Sequence, residues 1–485
     1  MSTHDEQEEA SSPEPVSAST VYSSAPTLAE IIQLTRHELT IAQEHDSIVE
    51  CGRAALAVLR TNPELCAKLA YQKLHDVPYK EVRTCWRRLY TDATLWGVLR
   101  KTEEKDKDWL DEIVKLLDMT LILTTAPLRE ELVELWFTAL EEELAVCEPG
   151  DAPPELEERP AKRLKAGGPN LMPTIFPTTI PATILSLRRP VPQSDKLSLS
   201  TFQKKLSDPS THTPLIMKNA IQHWPALAER PWNSPEYLLK RTLGGRRLVP
   251  IETGRSYTDT GWSQKITTFA DFMITHMLRS TTSSQFRPQT GYLAQHDLFA
   301  QIPSLRADIS IPDCCYCDPA LNPLPYVKEV AKLEDPLLNA WFGPKGTISP
   351  LHTDPYHNVL AQVVGYKYVR LYAPDQTEWL YPRTVDKIGV DMSNTSEVDL
   401  DEAMGLFAEI GFGEEGDDEH EKLGEDCGEA NQTKRLEFEE RFPGFTSAEY
   451  VEGILGPGDC LYLPPGWWHF VKSLSPSFSV SFWFN

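Results

Sequence analysis

An imidazole and a carboxylate two residues apart, His352 and Asp354, are the first pair in this 485-residue chain that could do chemistry together. On an extended segment, positions i and i+2 point to one face, so the two side chains can converge. A second imidazole from far along the chain would complete a two-histidine, one-carboxylate triad. Such a triad grips Fe(II) on one side and leaves positions open for cosubstrate and oxygen. His469, in Gly466-Trp467-Trp468-His469, is the candidate third donor. The turn Gly456-Pro457-Gly458-Asp459, the apolar run Cys460–Leu463 and the turn Pro464-Pro465-Gly466 would swing it toward a barrel mouth. His357 lies nearer, but an odd offset of five from His352 would point it away on a continued strand. His-x-Asp alone is a weak signal. Its setting strengthens it, because a Gly/Pro-rich turn precedes it and an apolar strand follows it.

The elements that must position these groups are β-rich. Val359–Val364 and Tyr366–Tyr372 flank Gly365, and Ser477–Phe482 alternates strictly, which predicts a half-buried strand. Short strands separated by turns from about residue 171 onward favour a sandwich or barrel. Upstream, Leu28, Ile31, Ile32 and Leu34, then Ala55, Leu56, Val58, Leu59, Leu65 and Leu69, follow helical spacing. Trp109, Ile113, Leu116 and Leu117, then Leu132, Leu135, Trp136 and Leu140, continue it. An all-helical module over residues 28–147 is expected, between a disordered acidic tail at 1–27 and a linker at 148–194. In the linker, Pro160-Ala161-Lys162-Arg163-Leu164-Lys165 reads as a nuclear import signal.

The net charge of −24 is unevenly spread. Residues 1–16 hold five acids and no base, and residues 397–440 hold 17 acids against three bases, so the rest is near neutral. The second stretch reads as an acidic insertion, a loop or a surface that attracts basic partners. No direct nucleic-acid binding is expected of so acidic a chain. The apolar runs fall short of a membrane span, and the N-terminus lacks the apolar core of a secretory signal. Nine Cys without regular spacing argue for a reducing compartment. Cys314-Cys315-Tyr316-Cys317 lacks the second ligand pair of a zinc site.

Trp341 to Asn358, Gly365 to Tyr372, Gly458-Asp459, Trp468-His469 and Ser477 to Trp483 together resemble the Jumonji-C (JmjC) oxygenases. Tyr292 to His296, Gln301-Ile302-Pro303 and Asp308 to Pro312 narrow the resemblance to the Jumonji-domain-containing protein five type, a subgroup of arginyl hydroxylases and lysine demethylases. It covers residues 195–485, and the helical part is similar more weakly. It implies an α+β multidomain chain, with an N-terminal helical domain and a C-terminal double-stranded β-helix of cupin-like form. The implied cofactors are Fe(II) and 2-oxoglutarate, with O2 as cosubstrate. The resemblance puts the metal on His352, Asp354 and His469, and 2-oxoglutarate on Tyr292, Ser349, Asn358 and Lys367, with Lys367 on its distal carboxylate. Glu252, Trp262 and Trp341 match substrate-pocket positions; Trp341 and Trp483 also suit core packing. Arginine hydroxylation in a protein substrate is the implied activity, with histone lysine demethylation or a catalytically silent scaffold as alternatives. Where the subgroup usually has a base before the lysine, this chain has Tyr366. A basic protein partner, a monomeric state and a nuclear location, with the cytoplasm as second compartment, complete the expectation.

Overall fold

The computed structural model describes residues 25–41, 45–146, 172–178, 187–258, 261–278, 290–321, 327, 330–385, 389–411 and 426–485. The acidic tail at 1–24, the basic cluster at 160–165 and the most acidic part of the insertion, 412–425, lie outside them. Six helices come first: α1 (Leu28–Thr40), α2 (Arg53–Leu59), α3 (Pro63–His75), α4 (Thr84–Glu104), α5 (Trp109–Thr124) and α6 (Glu130–Val146). A capping box between Thr27 and Glu30 starts α1, and Asn62 caps α3 ahead of Pro63. α4 is enclosed by its neighbours, so its polar residues are buried and paired. Arg88 reaches Asp46 at 2.8 Å and Asp92 at 2.7 Å. Leu65 and Leu69 do not join this core, contrary to the expectation from their spacing. They face outward, while Cys66, Ala70 and Leu74 of the same helix pack inward. Small residues let two helices approach closely, and side-chain size therefore misidentifies the inner face.

Thirteen strands follow: β1 (Gln193–Ser194), β2 (Leu215–Met217), β3 (Leu248–Thr253), β4 (Ser263–Thr268), β5 (Gly291–His296), β6 (Leu337–Gly343), β7 (Ile348–His352), β8 (His357–Val364), β9 (Lys367–Tyr372), β10 (Tyr450–Leu455), β11 (Cys460–Leu463), β12 (Trp468–Ser473) and β13 (Ser477–Phe484). They form a nine-stranded sheet, β1-β2-β11-β8-β13-β6-β5-β3-β4, and a four-stranded sheet, β10-β9-β12-β7. Leu360, Leu461 and Leu463 of the larger sheet pack with Val369, Leu371 and Val471 of the smaller, so the two sheets face each other as a double-stranded β-helix. The β8–β9 hairpin turns at Gly365, whose φ is +70°; a Cβ there would collide with the Pro476 carbonyl.

Two sequence expectations change on contact with this architecture. The alternating strand β13 is buried on both faces. Phe478, Val480, Phe482 and Phe484 enter the outer core, while Ser479 and Ser481 are also buried on the opposite face, toward the barrel interior. Alternation here separates an apolar outside from a polar inside, because the barrel encloses a polar cavity. The stretch read as linker also reaches the core: Phe176 packs beneath the larger sheet, Val191 lies between the sheets, and Gln193–Ser194 pairs with β2.

The insertion at 397–440 is more than a loop. Helices Leu400–Leu406 and Asp426–Arg441 lie within it, and Leu400, Ala403, Phe407, Ile410 and Phe438 cover the outer face of the smaller sheet with Tyr368, Tyr372 and Trp468. On that face the buried Arg370 donates to Glu452 at 3.2 Å, and the Tyr368 hydroxyl donates to the same carboxylate at 2.6 Å. Glu452→Ala would leave Arg370 buried without its counter-charge, which costs about 3–5 kcal/mol. A clear drop in the thermal midpoint is expected; an unchanged midpoint would show that the pair carries no weight.

Candidate metal and cosubstrate site

His352 and His469 are direct partners across the antiparallel β7–β12 ladder, with ring centroids 4.1 Å apart. β7 stops at His352, so Asp354 is delivered by the turn that follows rather than by a continued strand. The Thr353 N–H donates to the Asn394 carbonyl at 2.8 Å, and His352 bridges to Thr395, which together anchor that turn. Asp354 then sits 3.7 Å from His352 Nε2 and 3.5 Å from His469 Nε2. One donor atom from each of the three lies within 4.8 Å of the others, the spacing of a shared ion.

Burial, and then the neighbouring His352, push the His469 imidazole down to about 4, against the pull of Asp354. His469 is therefore neutral near pH 7, with a lone pair to offer a metal. Its Nδ1 faces the Trp467 carbonyl and that of His352 faces Pro350, leaving each Nε2 toward the cavity. His357 is turned to the outer core, stacked on Tyr462 with Nδ1 2.9 Å from its hydroxyl; it points away from the triad as expected, but because it opens a new strand, β8, rather than by an offset along one strand.

β7 carries a bulge. Ser349 pairs with Val471 and His352 with His469, three residues on one strand against two on the other. Residues three apart would otherwise face opposite sides; the bulge brings both Ser349 and His352 to the interior. The cavity is walled by Tyr292, Trp341, Ser349, Asn358, Lys367 and Ser481 around the triad. Lys367 is buried, and its Nζ lies 3.2 Å from the Tyr292 hydroxyl. Desolvation pulls its pKa down to about 7. Burial likewise pushes the Tyr292 phenol up, eased by a hydrogen bond with Ser349. Asn358 donates to Asp354 at 3.1 Å, while its own Oδ1 is buried without a partner. An ammonium held this dry and an unmatched amide oxygen suit a small dicarboxylate, and the three donors suit a divalent metal.

A second hollow, of about 360 Å³, is lined by Glu252, Gln264, Ala294, Gln295, Asp297, Leu337, Leu338, Asn339 and Trp483. Register joins it to the first. Glu252 lies opposite Tyr292 and Gln264, Asn339 opposite Ser481, and Trp483 opposite Asn358. Directly opposed residues share a face of the sheet, so this vestibule continues the inner wall of the cavity outward. Burial pushes the Glu252 carboxyl up, offset in part by the Trp262 indole beside it. Trp341 belongs to the inner cavity: its indole donates to Ser481 at 2.9 Å and its ring lies 6.1 Å from Tyr292. Trp483, assigned to packing as readily as to the pocket, walls the vestibule. Tyr366 packs on the outer core of the smaller sheet, away from the cavity.

Sequence reasoning missed two elements here. Burial pushes the Tyr257 phenol up to about 12; Thr395, 3.5 Å from its hydroxyl, offsets this, and the carboxylates of Asp354 and Glu252 add to it. The segment Asn394–Thr395 closes over His352. No motif marks either, since both arrive through the turns that follow β3 and β9.

Residues 202–485 match the family described as "Cupin-like domain". The chain is 32% identical to "Lysine-specific demethylase 8" of Danio rerio over 95% of this chain and 93% of that protein. It is 37% identical to "Jumonji C domain-containing protein 5" of Drosophila melanogaster, over 64% of this chain and 63% of that one. To the human "Bifunctional peptidase and (3S)-lysyl hydroxylase JMJD7" it is 22% identical over 56% of this chain and 77% of that one. No described helix is long and apolar enough to cross a membrane. Fold, donor set and likenesses agree, and the chain belongs to the cupin-like JmjC family of Fe(II)- and 2-oxoglutarate-dependent oxygenases.

Proposed function

We propose that this protein hydroxylates an arginine side chain of a basic protein substrate, with Fe(II) on His352, Asp354 and His469 and 2-oxoglutarate between Lys367, Tyr292, Ser349 and Asn358. Iron with 2-oxoglutarate and O2 supplies the oxidant for a C–H bond, with succinate and CO2 as coproducts. The chain's residues do the rest. Lys367 and Tyr292 fix the distal carboxylate, Asn358 steadies Asp354, and the apolar walls limit water.

The observation that carries the substrate reading is the vestibule's chemistry. Two carboxylates, three amides and an indole line it, and among the described residues no Lys or Arg does. Such a mouth takes a cation, and a carboxylate beside an indole suits the planar fork of a guanidinium. Lysine demethylation is the second reading, favoured by the name of the Danio relative, a lysine-specific demethylase. The site's location is inferred to be the nucleus, on the basic cluster at 160–165, and the protein to act as a monomer.

Three outcomes test the reading. His469→Ala should abolish Mn(II) binding, used as an air-stable probe of the iron site and read by electron paramagnetic resonance; retained binding would refute the triad. Lys367 has its folded pKa depressed, so the unfolded chain binds more protons between about 7 and 10.5, and the ligand-free protein should gain stability as pH rises through that window. A bound carboxylate reverses the preference, so calorimetry at pH 8 in buffers of different ionisation enthalpy should show proton uptake with 2-oxoglutarate. Lys367→Ala should bind it roughly 30-fold more weakly, about 2 kcal/mol for a charge-assisted bond. Mass spectrometry of arginine and methyl-lysine peptides should detect +16 Da on arginine, about the mass of one oxygen, with Glu252→Gln losing roughly tenfold or more in kcat/KM. Methyl loss from lysine instead would select the second reading.

A further inference from the structure

One buried carboxylate of the helical domain is spent on the catalytic domain. Asp118, on α5 and fully buried, accepts from Arg247 Nε at 2.9 Å and Nη2 at 2.8 Å, from the Leu248 N–H at 2.7 Å and from Gln301 Nε2 at 2.7 Å. All of these donors lie outside the helical domain. Leu248 begins β3, the strand that carries Glu252, and Arg247 directly precedes it. Gln301 also donates to the Leu248 carbonyl at 2.7 Å and lies 2.7 Å from His296 Nε2 at the end of β5. The Arg247 guanidinium sits 3.5 Å above the Phe137 ring of α6.

What these bonds hold is irregular. β5 is bulged: Leu293 pairs with Phe342 and His296 with Ala340, three residues against two. Gln295, within the bulge, has φ +47°, a left-handed conformation that costs a non-glycine residue free energy. The bulge puts both Ala294 and Gln295 into the vestibule lining while His296 points back to Gln301.

We infer that the helical domain is a brace for the substrate wall: Asp118, through Arg247, Leu248 and Gln301, positions β3 and the strained β5 bulge so that Glu252 and Gln295 line the vestibule. Asp118 and Gln301 are positioning residues, remote from the metal. The inference rests on the reading of the vestibule as the peptide site. It gives the helical domain a role in substrate affinity rather than in the chemical step.

The test uses the full chain as Asp118→Asn and as Gln301→Leu. The second variant cuts the ties to His296 and to the Leu248 carbonyl, leaves the Arg247–Asp118 pair intact, and so guards against simple misfolding of the first. Amide hydrogen exchange over the bulge, residues 294–296, should quicken roughly tenfold or more, while Tyr292, β8 and β13 keep their wild-type rates. KM for an arginine peptide should rise roughly tenfold with kcat within about twofold, and 2-oxoglutarate turnover without peptide should be unchanged. Exchange at β5 equal to wild type, or a rise shared by every strand, overturns the brace. So does a quickened β5 with an unaltered peptide KM. If exchange changes locally but the wild-type protein turns over neither arginine nor methyl-lysine peptides, the brace stands and the substrate reading falls.

Discussion

A barrel interior that holds two imidazoles, a carboxylate, an ammonium and a phenol can supply only part of its own hydrophobic driving force. Burying those groups is unfavourable unless each finds a partner, and the depressed pKa of Lys367 records how far water has been excluded. Cohesion therefore comes largely from the outer faces of both sheets, added to the apolar residues Leu360, Leu461, Val369 and Leu371 packed between them. β13 makes the division plain, with Phe and Val outward and Ser inward. Under the larger sheet the outer core takes in Trp224, Trp232 and Phe342; under the smaller it takes in the insertion's Phe407 and Phe438. The acidic insertion is thus a structural cover as well as a charged surface. Its apolar residues seal the face opposite Lys367 and the triad.

The same constraint explains why part of the site was legible from sequence and part was not. Donor chemistry is local, so His352, Asp354 and His469 could be picked out by type and spacing, whereas Lys367 came only with the family resemblance, since a strand lysine by itself reads as solvent-facing. The reason first given for Asp354 does not survive, however. Its convergence with His352 comes from a turn pinned by Asn394, not from a continued strand. Ser349 and His352 share the interior only because β7 is bulged, and Gln295 enters the vestibule by the same device in β5. A period-two pattern has no way to announce an inserted residue. Tyr257, Thr395 and Asp118 are further removed, since each is brought in by tertiary packing across more than 100 residues or by a turn without a motif.

Among larger elements, the helices and the strands flanking Gly365 followed their periodicity, while faces were less secure than types. Leu65 and Leu69 are the instructive case. Leucine is the better core residue by transfer free energy, yet Cys66 and Ala70 are inside because α3 and α4 lie too close for larger side chains. The end of the linker failed for a different reason. Phe176 and Val191 are isolated apolar residues in Pro-rich surroundings, with no period to report, and their burial depends on surfaces formed by strands far downstream.

The sign of charge along the inner wall is the last step that joins structure to chemistry. Asp297 and Glu252 line the vestibule, whereas Lys367 lines the inner cavity with the triad. A dicarboxylate is repelled at the mouth and held only at the far end; a cationic side chain is attracted at the mouth and repelled at that end. Each group therefore has one place where its charge is matched, and the two places lie in different hollows. In a medium of low dielectric this opposition is worth more than it would be in water. On the proposed function it would sort cosubstrate and substrate between the two hollows without a moving part, provided the outer carboxylates stay where β3 and β5 hold them.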